Sequence, residues 1–347
     1  MALGPELLFA DFFGKPAWTW LLFVGIIAAL LAFDLGILHR KAREIPAGES
    51  LLLSAAYISV ALIFGAWVWS QMGQEAGVAY VTGFFIEKTL ALDNIFVISL
   101  IFATLAIPRH LQHRVLFYGI LGVIVLRAIM IGLGTALVSQ FAWVLYIFGA
   151  FLIVTGIKML LVAENPSAVV DNPLMRFVRR HMRVTKVLRG SAFFVRRPVS
   201  RSGRTVLYAT PLLLALILIE FADLVFAVDS VPAIFAITTD PYIVYTSNIF
   251  AILGLRALYF ALAASVHRFR YLKYALSLVL IFIGAKIFWS QAFGKVDPLI
   301  SLGVTLTLLA GGIVLSMWKT SREQPEPADE ALRAGPCPIR LTRGEPS

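Results

Sequence analysis

The chain has 347 residues, 59% of them hydrophobic and only 14% charged, with a formal net charge of +10 and a mean hydropathy of +0.85. A soluble domain is usually about 45–50% apolar and about 25% charged, so this composition excludes a water-soluble fold and predicts an all-α polytopic membrane protein. The positive charge does not mark a nucleic-acid binder, because the bases lie in alternate connections between apolar runs rather than on one continuous patch.

Taken in chain order, the apolar runs predict nine transmembrane helices: 17–38, 51–72, 78–103, 115–138, 141–162, 206–237, 242–266, 271–291 and 298–318. Each is long enough to cross about 30 Å of hydrocarbon. The first run has no basic residue before Lys15 and exceeds a signal core in length, so it is expected to stay as a membrane anchor. Basic residues cluster at 39–43, 108–114, 164–205 and 267–273 and at Lys319 and Arg322, with ten Lys/Arg between Arg176 and Arg204 alone. The positive-inside rule then puts the N-terminus outside and the C-terminus in the cytoplasm, with the basic loop touching anionic lipid. The polar, proline-rich tail 319–347 is expected to be disordered, and it holds the single cysteine, Cys337, so no disulfide framework exists.

Two runs carry charge where none is expected. IEKTLALDN at 86–94 holds Glu87, Lys88, Asp93 and Asn94, and IEFADLVFAVDSVP at 219–232 holds Glu220, Asp223 and Asp229, followed by Pro232. Aligning ALDN with AVDS pairs Glu87 with Asp223, Asp93 with Asp229 and Asn94 with Ser230. Further on, VLRA matches GLRA (Arg127 with Arg256), and TGIKM matches IGAKI (Lys158 with Lys286). The landmarks recur in one order across 78–163 and 206–291. Those segments are read as two three-helix units flanked by two helices in 1–77, the basic loop 164–205 and a last helix in 292–318. Three spans per unit make the second enter from the opposite side, the inverted repeat of many secondary transporters, whose sites lie at the repeat interface near the midplane.

A charge at the centre of an inserted helix costs about 2.5–3.5 kcal/mol, so the five acids must face one another, a cation or water. Helical spacing puts Glu87 with Asn94, and Asp223 with Ser230, on nearly one stripe, with Asp93 and Asp229 one residue off it. Pro232 removes an amide beside Asp229 and is expected to open the helix locally. Structural pairing is the plain alternative, since Lys88, Arg127, Lys158, Arg256 and Lys286 equal the acids in number; apart from that pairing they stand as gating or charge partners. Asp34 reads equally as an end residue of the first span or as part of a pathway. All five histidines sit in or beside the basic connections, so the spans offer oxygen ligands, which suit magnesium, calcium or manganese rather than zinc or copper. Carboxylates there also permit proton exchange.

The stretches IEKTLALDN, IPRHLQHRVLFYGILG, FGAFLIVTGIK, ATPLLLALILIEFADLVFAVDSVPAIFAITTDP and YTSNIFAILGLRALYF closely resemble the TerC family, particularly its Alx branch, from about Trp18 to Trp318. The resemblance implies a fold of the lysine-exporter-like superfamily and an inner-membrane exporter of Mn²⁺, associated with tellurium resistance by name. It implies Glu87, Asp93, Asn94, Glu220, Asp223 and Asp229 as the metal site, Asp93 and Asp229 being primary ligands and the rest ligands or proton carriers. Mn²⁺ is then a transported substrate, with no permanently bound cofactor and no enzymatic role; the partners are the bilayer, the cation, protons and other membrane proteins. Two alternatives stand beside this: export of another divalent cation, a tellurium oxyanion or an amino acid, and a membrane assembly factor that moves nothing.

Overall fold

The structure, a computed structural model, describes residues 9–38, 47–141, 143–161, 185, 190–198, 205–262, 272–294 and 296–322. Most of the basic loop and the tail beyond Arg322 with Cys337 fall outside the described residues, as do the side chains of Asp93 and Asp229. Eight helical stretches among the described residues are apolar and long enough to cross a membrane. A further helix, α3 (Gln74–Thr104), has 31 residues and carries the charges of the first acidic motif. The protein is thus an all-α polytopic membrane protein.

The helices follow the apolar runs with adjusted ends. They are α1 (Ala17–Leu38), α2 (Ala47–Met72), α3, α4 (Arg109–Gln140), α5 (Val144–Leu161), α6 (Pro211–Phe235), α7 (Pro241–Leu253), α8 (Leu255–Leu262), α9 (Leu272–Phe293) and α10 (Pro298–Arg322). A short strand pair, β1 (Asp11–Phe12) with β2 (Lys15–Pro16), precedes α1.

Three expectations are corrected. The sixth run is not one span of 206–237: its start forms strand β4 (Thr205–Ala209), antiparallel to β3 (Phe194–Pro198). Thr210 then caps the helix start while its hydroxyl donates to the carbonyls of Ala192 and Phe193 (2.8 and 3.1 Å), and Pro211 opens α6 at a position where no amide is needed. The helix does not open at Pro232 but runs on to Phe235, the proline falling in its last turn. The seventh run is divided at Gly254 into α7 and the short α8. A Cβ there would lie 2.7 Å from the Lys88 ammonium and 3.2 Å from the Tyr57 Cβ, so only glycine lets these groups approach the backbone.

Packing exchanges partners between the two predicted units. Helix α3 packs on α7, α6 packs on α4, and α5 packs along α9. The α5–α9 crossing is reciprocal. A Cβ on Gly284 would stand 2.6 Å from the carbonyl of Gly149, and one on Gly156 would stand 2.7 Å from the carbonyl of Ser277. The TGIK and IGAK motifs align Gly156 with Gly284, and the same offset aligns Gly149 with Ser277. Each helix therefore brings a glycine against a backbone carbonyl of the other, the close approach of small residues that membrane helices favour.

Candidate functional site

Glu87, near the middle of α3, Arg127, near the middle of α4, and Asp223, at the middle of α6, meet inside the bundle at 1%, 1% and 6% exposure. Arg127 Nη1 stands 2.9 Å from Glu87 Oε1. Its Nε and Nη2 donate to Asp223 Oδ2 and Oδ1 at 3.2 and 3.1 Å, a two-pronged fork. Arg127 Nη1 also donates to Ser230 Oγ at 2.7 Å. The acids are completed by two amides: Asn94 Nδ2 donates to Asp223 Oδ1 (3.3 Å) and Asn248 Nδ2 to Glu87 Oε2 (3.1 Å). Removing the guanidinium would strand two buried carboxylates, a loss of about 3–5 kcal/mol for a broken buried pair.

Every group in this cluster except Arg127 is an oxygen-bearing side chain, and two acceptors remain idle. Among the described residues, Asn94 Oδ1 and Asn248 Oδ1 are buried and have no hydrogen-bond partner. A cavity of about 30 Å³ adjoins the cluster, lined among others by Asn94, Asp223, Gly119, Val123, Ile219 and Leu255. That volume admits a water-sized occupant. Glu220, one turn before Asp223, sets its carboxylate against the backbone of α4 where a Cβ on Gly122 would be, and neither of its buried oxygens has a hydrogen-bond partner among the described residues.

The structure therefore brings together four of the six expected site residues at the α3–α4–α6 contact: Glu87, Asn94 and Asp223 in one cluster, and Glu220 beside it. Asp93 and Asp229 sit on α3 and α6, their side chains outside the described residues. Among the described residues no group of three or more His, Cys, Asp or Glu side chains is poised to hold a metal ion; a guanidinium stands between the two repeat-related acids instead.

Full pairing of five bases with five acids is not what the described residues show. Arg127 serves two acids, whereas Arg256 pairs with Asp34, which is buried rather than snorkelling. Lys88 donates to the carbonyl of Ala251 (3.1 Å), Lys286 to Ser301 Oγ (3.0 Å), and Lys158 lies exposed near the end of α5. Asn248, on α7, is the cluster residue that charge-based reading missed. A signal existed: of four asparagines in the chain, only Asn94 and Asn248 fall within spans, and both touch the cluster acids.

Residues 72–324 match the TerC family of integral membrane proteins. The chain is 48% identical over 316 residues to an uncharacterized membrane protein of Myxococcus xanthus, covering 91% of this chain and 97% of that one. It is 50% identical over 299 residues to a membrane protein of Rickettsia bellii, covering 86% and 97%. It is also 45% identical over 316 residues to the putative membrane-bound redox modulator Alx of Escherichia coli K12, covering 88% and 96%. No solved structure matches the chain. A membrane bundle built around the IEKTLALDN and IEFADLVFAVDS helices, matched over most of its length by this family, belongs to the TerC family.

Proposed function

We propose that the protein is an inner-membrane transporter that exports Mn²⁺ from the cytoplasm through a carboxylate site at the meeting of two inverted three-helix units, in exchange for protons. The observation that carries this reading is the convergence of Glu87 and Asp223, repeat-related acids from different units, at one buried point. An inverted repeat places its substrate site at such an interface, and intramembrane acids are kept where a cation or proton path needs them. The donors available, carboxylate, amide and hydroxyl oxygens, suit a hard divalent cation. Asp93 and Asp229 are the primary ligands in this reading, Glu87 and Asp223 join them, and Glu220 carries a proton or a ligand oxygen. In this reading the protein is a carrier rather than an enzyme.

The relatives named as redox modulators invite a second reading. The sequence holds one cysteine, which cannot close a disulfide within the chain, so that reading would not run through an intramolecular dithiol pair. The test is Mn²⁺ flux in liposomes containing only the purified protein, with and without a pH gradient, beside Asp93→Asn and Asp229→Asn. Flux in the wild type, lost in both variants and enhanced by the gradient, is expected. Well-folded wild type that moves no Mn²⁺ would shift the function to another substrate or to an assembly role.

A further inference from the structure

Resting on that reading, we propose that Arg127 is a tethered counter-cation: it occupies the site while the carrier is empty, and the arriving divalent ion displaces it toward Glu220. The geometry gives both positions. In the first, the guanidinium fills the place a cation would take, held by Glu87, Asp223 and Ser230. Two carboxylates and one guanidinium leave a single negative charge; replacing the guanidinium by a divalent ion brings the pair of acids to neutrality.

The second position is prepared by Glu220. Its two buried oxygens have no hydrogen-bond partner, and it lies against Gly122 and Gly119 of α4, toward the helix start from Arg127. A long helical side chain points toward the start of its own helix, over the residues three and four before it. For Arg127 that direction leads over Val123 and Gly119 into the cavity beside the cluster. Asp223 and Glu220 are three apart on α6 and share one face, so the move is about 4.5 Å along the helix axis. A carboxylate without a hydrogen-bond partner among the described residues, one turn from the acid that a doubly paired arginine holds, is a two-position arrangement for one charge.

The amides fit the same exchange. Asn94 and Asn248 now donate to the acids while their Oδ1 atoms stand buried without partners. Once the guanidinium leaves and a cation enters, turning each amide over presents an oxygen to the ion and satisfies the idle acceptor. Donors that neutralise the empty site thereby become ligands of the filled one.

Calorimetric titration of MnCl₂ into purified protein in detergent tests this with a double-mutant cycle. Arg127→Gln is expected to bind about tenfold more tightly than wild type, because no tethered cation competes. Glu220→Gln is expected to bind about tenfold more weakly, because the displaced arginine has nowhere charged to go. In the Arg127→Gln background, Glu220→Gln should change nothing. Equal weakening by Glu220→Gln in both backgrounds would make Glu220 a plain ligand and overturn the proposal, as would Arg127→Gln binding no tighter than wild type. Should Arg127→Gln not fold, Arg127→Lys keeps the charge but loses the fork; tighter binding than wild type and a smaller Glu220→Gln effect support the proposal, and wild-type behaviour in both respects overturns it. Wild type that binds no Mn²⁺ removes the transporter reading and this inference together, whereas wild-type binding with an unaltered cycle removes the inference alone.

Discussion

Gly122 and Gly284 both leave no room for a methyl group, yet substituting them should cost different things. The Cβ of Gly122→Ala would meet the carboxylate of Glu220, the end of a flexible side chain that can swing aside. Thermal unfolding of Gly122→Ala should therefore show a loss within about 1 kcal/mol, the ordinary scale of a single substitution. Its Mn²⁺ affinity should fall toward that of Glu220→Gln, because the displaced carboxylate no longer stands against Gly122, where the arginine would meet it. At Gly284 the obstacle is the carbonyl of Gly149, 2.6 Å away, so Gly284→Ala must part α5 from α9 and should cost about 1–3 kcal/mol of stability, as overpacking does. Asn248 gives a third case. Replacing it by Ala leaves Glu87 Oε2 buried without its donor, a loss of about 1–3 kcal/mol for a stranded acceptor. An isosteric Asn248→Asp would set a carboxylate against Glu87 and should be worse, unless Mn²⁺ is present to bridge the pair; unfolding curves with and without MnCl₂ distinguish the two conditions.

At the scale of elements, α1 is the helix whose placement depends most on one polar contact. It lies outside the two repeat units, and its described apolar anchors, Phe23 and Ile27, pack into the cluster formed by α2, α3 and α7. At the other end of the helix Asp34 pairs with Arg256 on α8, both nearly buried, and Arg256 Nη1 has no further hydrogen-bond partner. The pair explains why Arg127 and its repeat partner Arg256 behave differently. Arg127 finds two acids within the repeats, while Arg256 takes its acid from a helix outside them. Asp34→Asn leaves a buried guanidinium facing a neutral amide and should destabilise by about 3–5 kcal/mol. Asp34→Leu with Arg256→Met removes both charges and should recover most of that loss. Thermal unfolding of Asp34→Leu, Arg256→Met and the double variant reads the coupling; additive losses would mean that the pair does not hold α1.

For the whole molecule, the sequence made the fold class legible because membrane length and charge placement are one-dimensional signals. The apolar runs became the observed helices, apart from the start of the sixth, which forms β4, and the break in the seventh at Gly254, and Glu87, Asn94 and Asp223 met because the acidic motifs repeat at helical spacing. What stayed illegible depends on three dimensions. No pattern distinguishes a strand at 205–209 from a continued apolar run, since both read as apolar residues, and the hairpin exists only through its partner at 194–198. Arg127 reads from sequence as one base among five, and only the α4–α6 packing makes it the centre of the cluster. Cross-chain contacts also check the span parity. Lys15 pairs with Asp240 at 3.0 Å, joining the N-terminal segment to the α6–α7 turn, and Arg114 donates to Ser191 at 2.7 Å, joining the start of α4 to the end of the long basic loop. Each pair lies on one face of the bundle, as the even number of crossings between its members requires. Which face is cytoplasmic rests on the bases, and the chain's single cysteine makes that testable. In intact cells Cys337 should resist a membrane-impermeant maleimide and react only after lysis. With Cys337→Ser as background, a cysteine at Asp11 should label from outside in intact cells, and one at Ser191 only after lysis. Labelling of Cys337 in intact cells would invert the orientation that the bases imply.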